Sequence, residues 1–204
     1  MLRDKDIREP LFEFLEDNFG KVRIIEEKTM GKARADVLMV KEDGLYGIEI
    51  KSDADTYVRL DSQVKYYNQF FRYNFICVGT THAEHISEHV PDWWGIITVD
   101  EVDGKADLYL LRECRENPKM GKTRERRALI KRELQFLWRP ELNRVLEYYS
   151  KFKYLTKSKK FVQDLILEKA PEEELLKHIC QELFERDYTN GIKAIEAYRE
   201  EKKH

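Results

Sequence analysis

Arg34-Ala-Asp36-Val-Leu-Met-Val40 leads into Lys41-Glu42-Asp43-Gly44 and then Leu45-Tyr-Gly-Ile-Glu49-Ile-Lys51-Ser52. Both flanks are rich in β-branched and aromatic residues, and the charged linker ending in Gly signals a hairpin. Strand side chains alternate faces with a period of two. Val37 and Met39 therefore share one face of the first strand, and Ile48 and Ile50 share one on the second. The opposite faces carry Arg34 with Asp36, and Glu49 with Lys51. A turn centred between Glu42 and Asp43 sets Asp36 across from Glu49. A type I′ turn at Asp43-Gly44 sets it across from Lys51 instead, with Glu49 one diagonal away. Either register gathers two carboxylates and an ammonium on one face of adjacent strands.

Outward from the hairpin, Ile7, Leu11, Leu15 and Phe19 recur at helical spacing, with Asp6 as the expected cap, Pro10 within the first turn and Gly20 as the stop. Val22–Glu27 reads as a further strand. After the hairpin comes a long amphipathic helix from about Asp55 to Tyr73, with Leu60, Val64, Tyr67 and Phe71 on one side. Phe75–Gly79 reads as a buried strand, His82–His89 as a short helical stretch, and Gly95–Asp100 with Ala106–Arg112 as a second strand pair. From about Thr123 the pattern is helical to the end, broken at Pro140 and near Pro171. The expected fold class is α/β, an αβββαβ core with a mixed central sheet followed by an all-helical C-terminal region. The boundary falls near Asn117–Gly121, giving a core over 1–116 and a helical module over 117–204.

The 204 residues carry 37 Lys and Arg against 39 Asp and Glu, so no bulk basicity marks a nucleic-acid binder. The distribution is uneven, however. Residues 1–111 have a net charge of −8, residues 112–160 of +10, and residues 161–204 of −4. Three cysteines without CxxC spacing suit reduced, buried thiols, and the charged N-terminus has no apolar leader; a cytoplasmic protein without membrane spans is expected.

Two carboxylates held close repel, which raises one pKa unless a cation lies between them. A hard divalent ion meets that need: Mg²⁺ (or Mn²⁺ in its place) takes one or two carboxylates, keeps several waters and accepts phosphate oxygens. Acid, acid and ammonium are the residue types a metal-dependent phosphodiesterase requires. Taken alone, the three residues read better as a solvated polar face with Lys51 as a cross-strand ion-pair partner.

Asp36…Glu49-x-Lys51 on a hairpin after an N-terminal helix, followed by a helix and another strand, resembles the PD-(D/E)XK nuclease superfamily, the restriction-endonuclease-like fold. The likeness covers about residues 1–100. Gln63 and Tyr67 form a Q-x-x-x-Y pair similar to that of its exonuclease branch. The run Arg34-Ala-Asp36, Glu49-Ile-Lys51-Ser52-Asp53, Asp55-Thr56, Arg59-Leu60, Gln63, Tyr67-Asn68, Pro91 and Trp93-Trp94-Gly95, extending to Leu137-Trp138-Arg139 with Glu141-Leu142, resembles a small bacterial and phage family assigned to that superfamily. The resemblance implies a nuclease acting on DNA in a phage, repair or defence setting. Asp36, Glu49 and the Ile50 carbonyl would ligate metal. Lys51 would act as base, water-positioning group or charge stabiliser, and Gln63 would orient Lys51 or the substrate strand. Residue 35 is Ala rather than the Pro of the motif's name. A third carboxylate, often on the first helix or strand, is open among Glu13, Glu16, Glu26 and Glu27. Many members of the superfamily dimerise, so a homodimer is among the expectations.

Arg34, Arg59 and Tyr67 near the site, and Arg124, Arg126 and Arg127 in the basic stripe, are the candidate nucleic-acid contacts. Such a stripe can neutralise phosphates that the acidic site repels, or be a solvated helix face. Tyr67 also lies on its helix's apolar side. His82, His85 and His89 share helical spacing but lack an acidic or cysteine partner, and Trp93-Trp94 suits sheet cover better than base stacking. The alternative from another class is an inactive nuclease-fold protein that binds nucleic acid or protein in a phage–host complex. An acid–base enzyme for a small molecule finds no phosphate loop or nucleophile motif.

Overall fold

The computed structural model describes residues 2–201. Six strands form one sheet in sequential order: β1 (Arg23–Met30), β2 (Ala33–Lys41), β3 (Gly44–Lys51), β4 (Tyr73–Gly79), β5 (Gly95–Val102) and β6 (Lys105–Arg112). β1, β2 and β3 pair antiparallel, β3, β4 and β5 parallel, and β5 and β6 antiparallel. The parallel step from β3 to β4 needs a crossover, which α2 (Leu60–Phe70) supplies. Short α3 (Thr80–Ala83) and α4 (Ile86–His89) make the next one. The fold class read from the sequence is the one observed.

Helices cover both faces of the sheet. On one, α1 (Asp4–Phe19) lays Ile7, Leu11 and Leu15 against Val37, Met39, Ile48, Ile50, Phe75 and Cys77. On the other, α2 lays Leu60, Val64, Tyr67 and Phe70 against Leu38, Val40, Leu45, Ile76 and Val78. α5 (Thr123–Glu133) packs on α2 and α8 (Glu172–Phe184) on β2 and β3, with α6 (Arg139–Glu147) and α7 (Lys159–Lys169) against them and α9 (Tyr188–Glu201) beside α6. Phe136 stacks on Phe71 with ring centroids 5.7 Å apart. Asn117, at the expected boundary, is buried and donates its amide to the Asn68 and Phe71 carbonyls, pinning the helical region to the end of α2.

Several elements differ from expectation for local reasons. α1 starts at Asp4, before the expected cap, and the Asp6 carboxylate accepts the Arg3 N–H; Pro10 then lies beyond the first turn. α2 starts at Leu60 because Asp55 is engaged by Ser52, whose N–H and hydroxyl both donate to its carboxylate. Residues 148–158 are not helical: Arg139 holds the Tyr154 carbonyl, and the Ser158 hydroxyl caps α7 by accepting the Phe161 N–H. His82 and His89 do not share a metal-binding face; their rings flank Tyr57. Trp94 is fully buried, its indole N–H on Asn68, so base stacking has no surface there. Cys77 and Cys180 are buried free thiols and Cys114 is half-buried.

Candidate metal centre

The β2–β3 register runs from Lys41 opposite Gly44 to Val37 opposite Ile48, with Glu42 and Asp43 as the turn. This selects the first of the two expected registers. One step beyond the last pair, Asp36 and Glu49 face each other where the ladder ends. The Asp36 carboxylate accepts the Ile50 N–H at 2.9 Å. The Asp36 N–H donates to the Tyr67 hydroxyl at 3.2 Å, and that hydroxyl donates to the Ile48 carbonyl at 3.1 Å. Tyr67 can reach the strands because Gly47 has no side chain: a Cβ there would lie 2.2 Å from the Phe71 ring and 2.7 Å from that of Tyr67.

Glu49 and Lys51 are withdrawn from solvent, and Asp36 is half-buried. Glu49 is 1 % exposed and Lys51 5 %. The Lys51 ammonium lies 3.0 Å from Glu49 Oε1, and the Gln63 amide donates to the same oxygen. Glu49 Oε2 and Gln63 Oε1 are buried without partners among the described residues. Burial first, and then the Asp36 charge, push the Glu49 carboxyl up to about 7, against the pull of Lys51. Asp36 is raised too, mainly by burial, with the Ile50 N–H opposing. Two carboxylates that resist ionising, one with a buried free oxygen, form a donor set that a divalent cation would relieve. Asp36 and Glu49 are the residues that could hold it. Among the described residues, no three His, Cys, Asp or Glu side chains converge as a fuller cage.

None of the four carboxylates considered for a third ligand joins Asp36 and Glu49 in one cluster. Glu26 and Glu27 take the Arg8 guanidinium at 3.0 and 2.7 Å, and Glu27 also pairs with Arg34. Glu13 and Glu16 line a separate cleft beside Tyr188. Sequence reasoning missed Arg8 and Asp4. Arg8 reaches the Asp36 carbonyl at 3.4 Å and binds Asp4, whose charge adds to the push on Asp36. Their i, i+4 spacing signals the pair but not its place beside Asp36.

Of the candidate nucleic-acid contacts, Arg34 and Arg59 are exposed near the site, whereas Tyr67 is fully buried and has no surface with which to touch a ligand. In the stripe, Arg126 pairs with Glu172 at 2.7 Å and Arg127 donates to the Leu167 carbonyl, so both tie α5 to its neighbours; Arg124 is exposed. The Trp138…Glu141 part of the family run is structural: Glu141 binds buried Arg186, whose guanidinium lies 4.3 Å from the Trp138 ring centre.

The family model described as bacteriophage P4 protein cII matches residues 1–201. The chain belongs to that family. A search of curated proteins gives no match. Among solved structures, a protein of unknown function from Silicibacter pomeroyi is similar at 19 % identity, covering 75 % of this chain and 99 % of that one, with a TM-score of 0.45. SfsA from Pyrococcus furiosus, solved in complex with Ca²⁺, is 16 % identical over 54 % of this chain and 62 % of its own, with a TM-score of 0.36. Among the described residues, no helix is long and apolar enough to cross a membrane.

Proposed function

We propose that this chain is a Mg²⁺-dependent nuclease that hydrolyses phosphodiester bonds in DNA. The observation that carries the reading is half-buried Asp36 beside buried Glu49, with Lys51 and Gln63 both on one Glu49 oxygen and the other oxygen left free. A bound Mg²⁺ would polarise the phosphoryl group and lower the pKa of a coordinated water. Asp36 and Glu49 would hold the ion. Lys51, fixed by Glu49, presents its remaining N–H donors to the attacking water or to the charge that builds on the phosphoryl oxygens. Gln63 keeps Glu49 in one rotamer, and Tyr67 keeps the two strand ends at their spacing. The products are a phosphomonoester and an alcohol, with water as the co-reactant.

The test is a cleavage panel of labelled single-stranded, duplex, nicked and branched DNA and of RNA, with Mg²⁺, Mn²⁺ or EDTA. Metal-dependent cutting of DNA, lost in Glu49→Gln, is the expected outcome. Binding of Mn²⁺ and of DNA without any cutting would overturn the reading in favour of a binding module on the same fold.

A further inference from the structure

Away from the metal centre, three cations converge on the turn that follows α5. Lys28 of β1 donates its amine to the Phe136 carbonyl at 3.2 Å, and Arg186 donates to the same oxygen at 2.8 Å. Lys159, the first residue of α7, donates to the adjacent Gln135 carbonyl at 2.9 Å. The nearby carboxylate, Glu141, has both oxygens occupied by Arg186, and one of them also accepts the Trp138 N–H. Glu141 is ion-paired with Arg186 and acts on Lys28 and Lys159 only through space, and neither lysine has an ion-pair partner among the described residues. Two carbonyl dipoles cannot offset two ammonium charges set beside a buried guanidinium. Burial first, with Arg186 and Lys159 adding to it and Glu141 opposing, lowers Lys28 to about 8.

We propose that Lys28 and Lys159, backed by the field of buried Arg186, bind a backbone phosphate of a nucleic-acid strand that leaves the metal centre over the β1 edge. β1 is a free edge of the sheet, and Lys28 lies opposite Ala35, the residue next to Asp36. The basic site and the metal centre are thus neighbours on one strand pair. An exposed aromatic two residues after Lys159 favours a nucleic acid over an acidic peptide. Phe161 is 40 % exposed, with the Lys157 amine 5.5 Å from its ring centre, a platform on which a base can stack. The choice of ligand rests on the nuclease reading, but the measurement below does not need cleavage.

The experiment is fluorescence anisotropy of a labelled 20-nucleotide single strand and a labelled duplex, in EDTA, over a series of salt concentrations. Lys28→Met with Lys159→Met should weaken binding to both. The slope of log K against log salt should flatten by about 0.7 on the single strand and about 0.9 on the duplex for each phosphate released. Lys28→Arg with Lys159→Arg should restore both. Because Lys28 is half-buried, Lys159→Met alone, at an exposed helix start, provides the second variant and should give part of the effect with an unchanged melting temperature. Wild-type affinity and slope in the Met variants would overturn the proposal even if the enzyme cuts DNA. A wild type that binds DNA through these lysines yet never cuts would leave the phosphate site standing and remove the nuclease reading. Binding of a poly-glutamate peptide, but not of either DNA, would assign the lysines to an acidic protein partner and overturn the proposal as well.

Discussion

The Tyr67 hydroxyl takes the Asp36 N–H and gives its own proton to the Ile48 carbonyl, so one buried side chain from α2 satisfies two backbone groups where the β2–β3 ladder stops. Without it, a buried donor and a buried acceptor are both orphaned, each costing about 1–3 kcal/mol. Tyr67→Phe, which keeps the ring between Phe71 and Trp94, should destabilise the fold by about 2 kcal/mol in urea unfolding. It should also weaken Mn²⁺ binding in calorimetry. Unchanged stability and unchanged affinity together would show that the strand ends hold their spacing unaided.

Metal and lysine contribute separably. Divalent ion that binds only the folded state raises the melting temperature, and Glu49→Gln should remove most of that rise while keeping the Gln63 and Lys51 neighbours in place. Lys51→Ala removes a positive charge 3.0 Å from Glu49, so on the proposed function metal binding should hold or tighten while cleavage disappears. A Lys51→Ala protein that cuts at the wild-type rate would reduce Lys51 to an ion-pair partner.

Glu133, at the end of α5, is fully buried, and neither carboxylate oxygen has a partner among the described residues. Burial lifts its pKa from 4.5 to about 7, with the Arg72 charge pulling the other way. The folded pKa exceeds the unfolded one, so the folded state binds the proton more tightly. Its stabilising effect is complete below pH 4.5 and is lost as pH rises through about 7. The loss is on the order of 3 kcal/mol. Glu133→Gln, which stays neutral, should unfold later than wild type at pH 8 and match it near pH 5. Parallel stability–pH curves for the two proteins would mean that Glu133 finds a charged partner on folding.

The Arg186–Glu141 pair is held at 1 % and 3 % side-chain exposure. Removing one member of such a pair leaves an uncompensated buried charge, so Glu141→Ala should cost roughly 3–5 kcal/mol by chemical denaturation. Replacing both with Met should cost much less. Equal losses for the single and double changes would place the energy in packing against Trp138 rather than in charge.

The hairpin and the gathering of Asp36, Glu49 and Lys51 at its end were legible because a two-residue period and one turn fix them locally. Between two turn positions the sequence had no preference, and the fold settled on Glu42 and Asp43. Tyr67 was readable as a helix-face residue but not as a wedge between strands, since that depends on Gly47 lying beneath it. The packing role of two stripe residues was hidden for the same reason. Arg126 and Arg127 look free in sequence, and only the packing of α5 on α7 and α8 uses them. Conversely, Lys28 stands alone in its segment, and its partners Lys159 and Arg186 lie more than a hundred residues away. Residues 148–158 carry helix-compatible spacing, yet Arg139 draws their carbonyls out of any helical ladder.

Phe136 rests against Phe70 and Phe71, so the helix that presents Gln63 and Tyr67 is backed by residues made much later. During translation the hairpin and α2 leave the ribosome first, and the segment through Phe184 follows after roughly ten seconds at typical elongation rates. For that interval the two phenylalanines face solvent or a chaperone, and the carboxylate pair belongs to an unfinished molecule. A chain terminated after β6 would stay in that condition permanently. Premature stops and proteolytic nicks in the helical half should therefore yield aggregates rather than a smaller working protein.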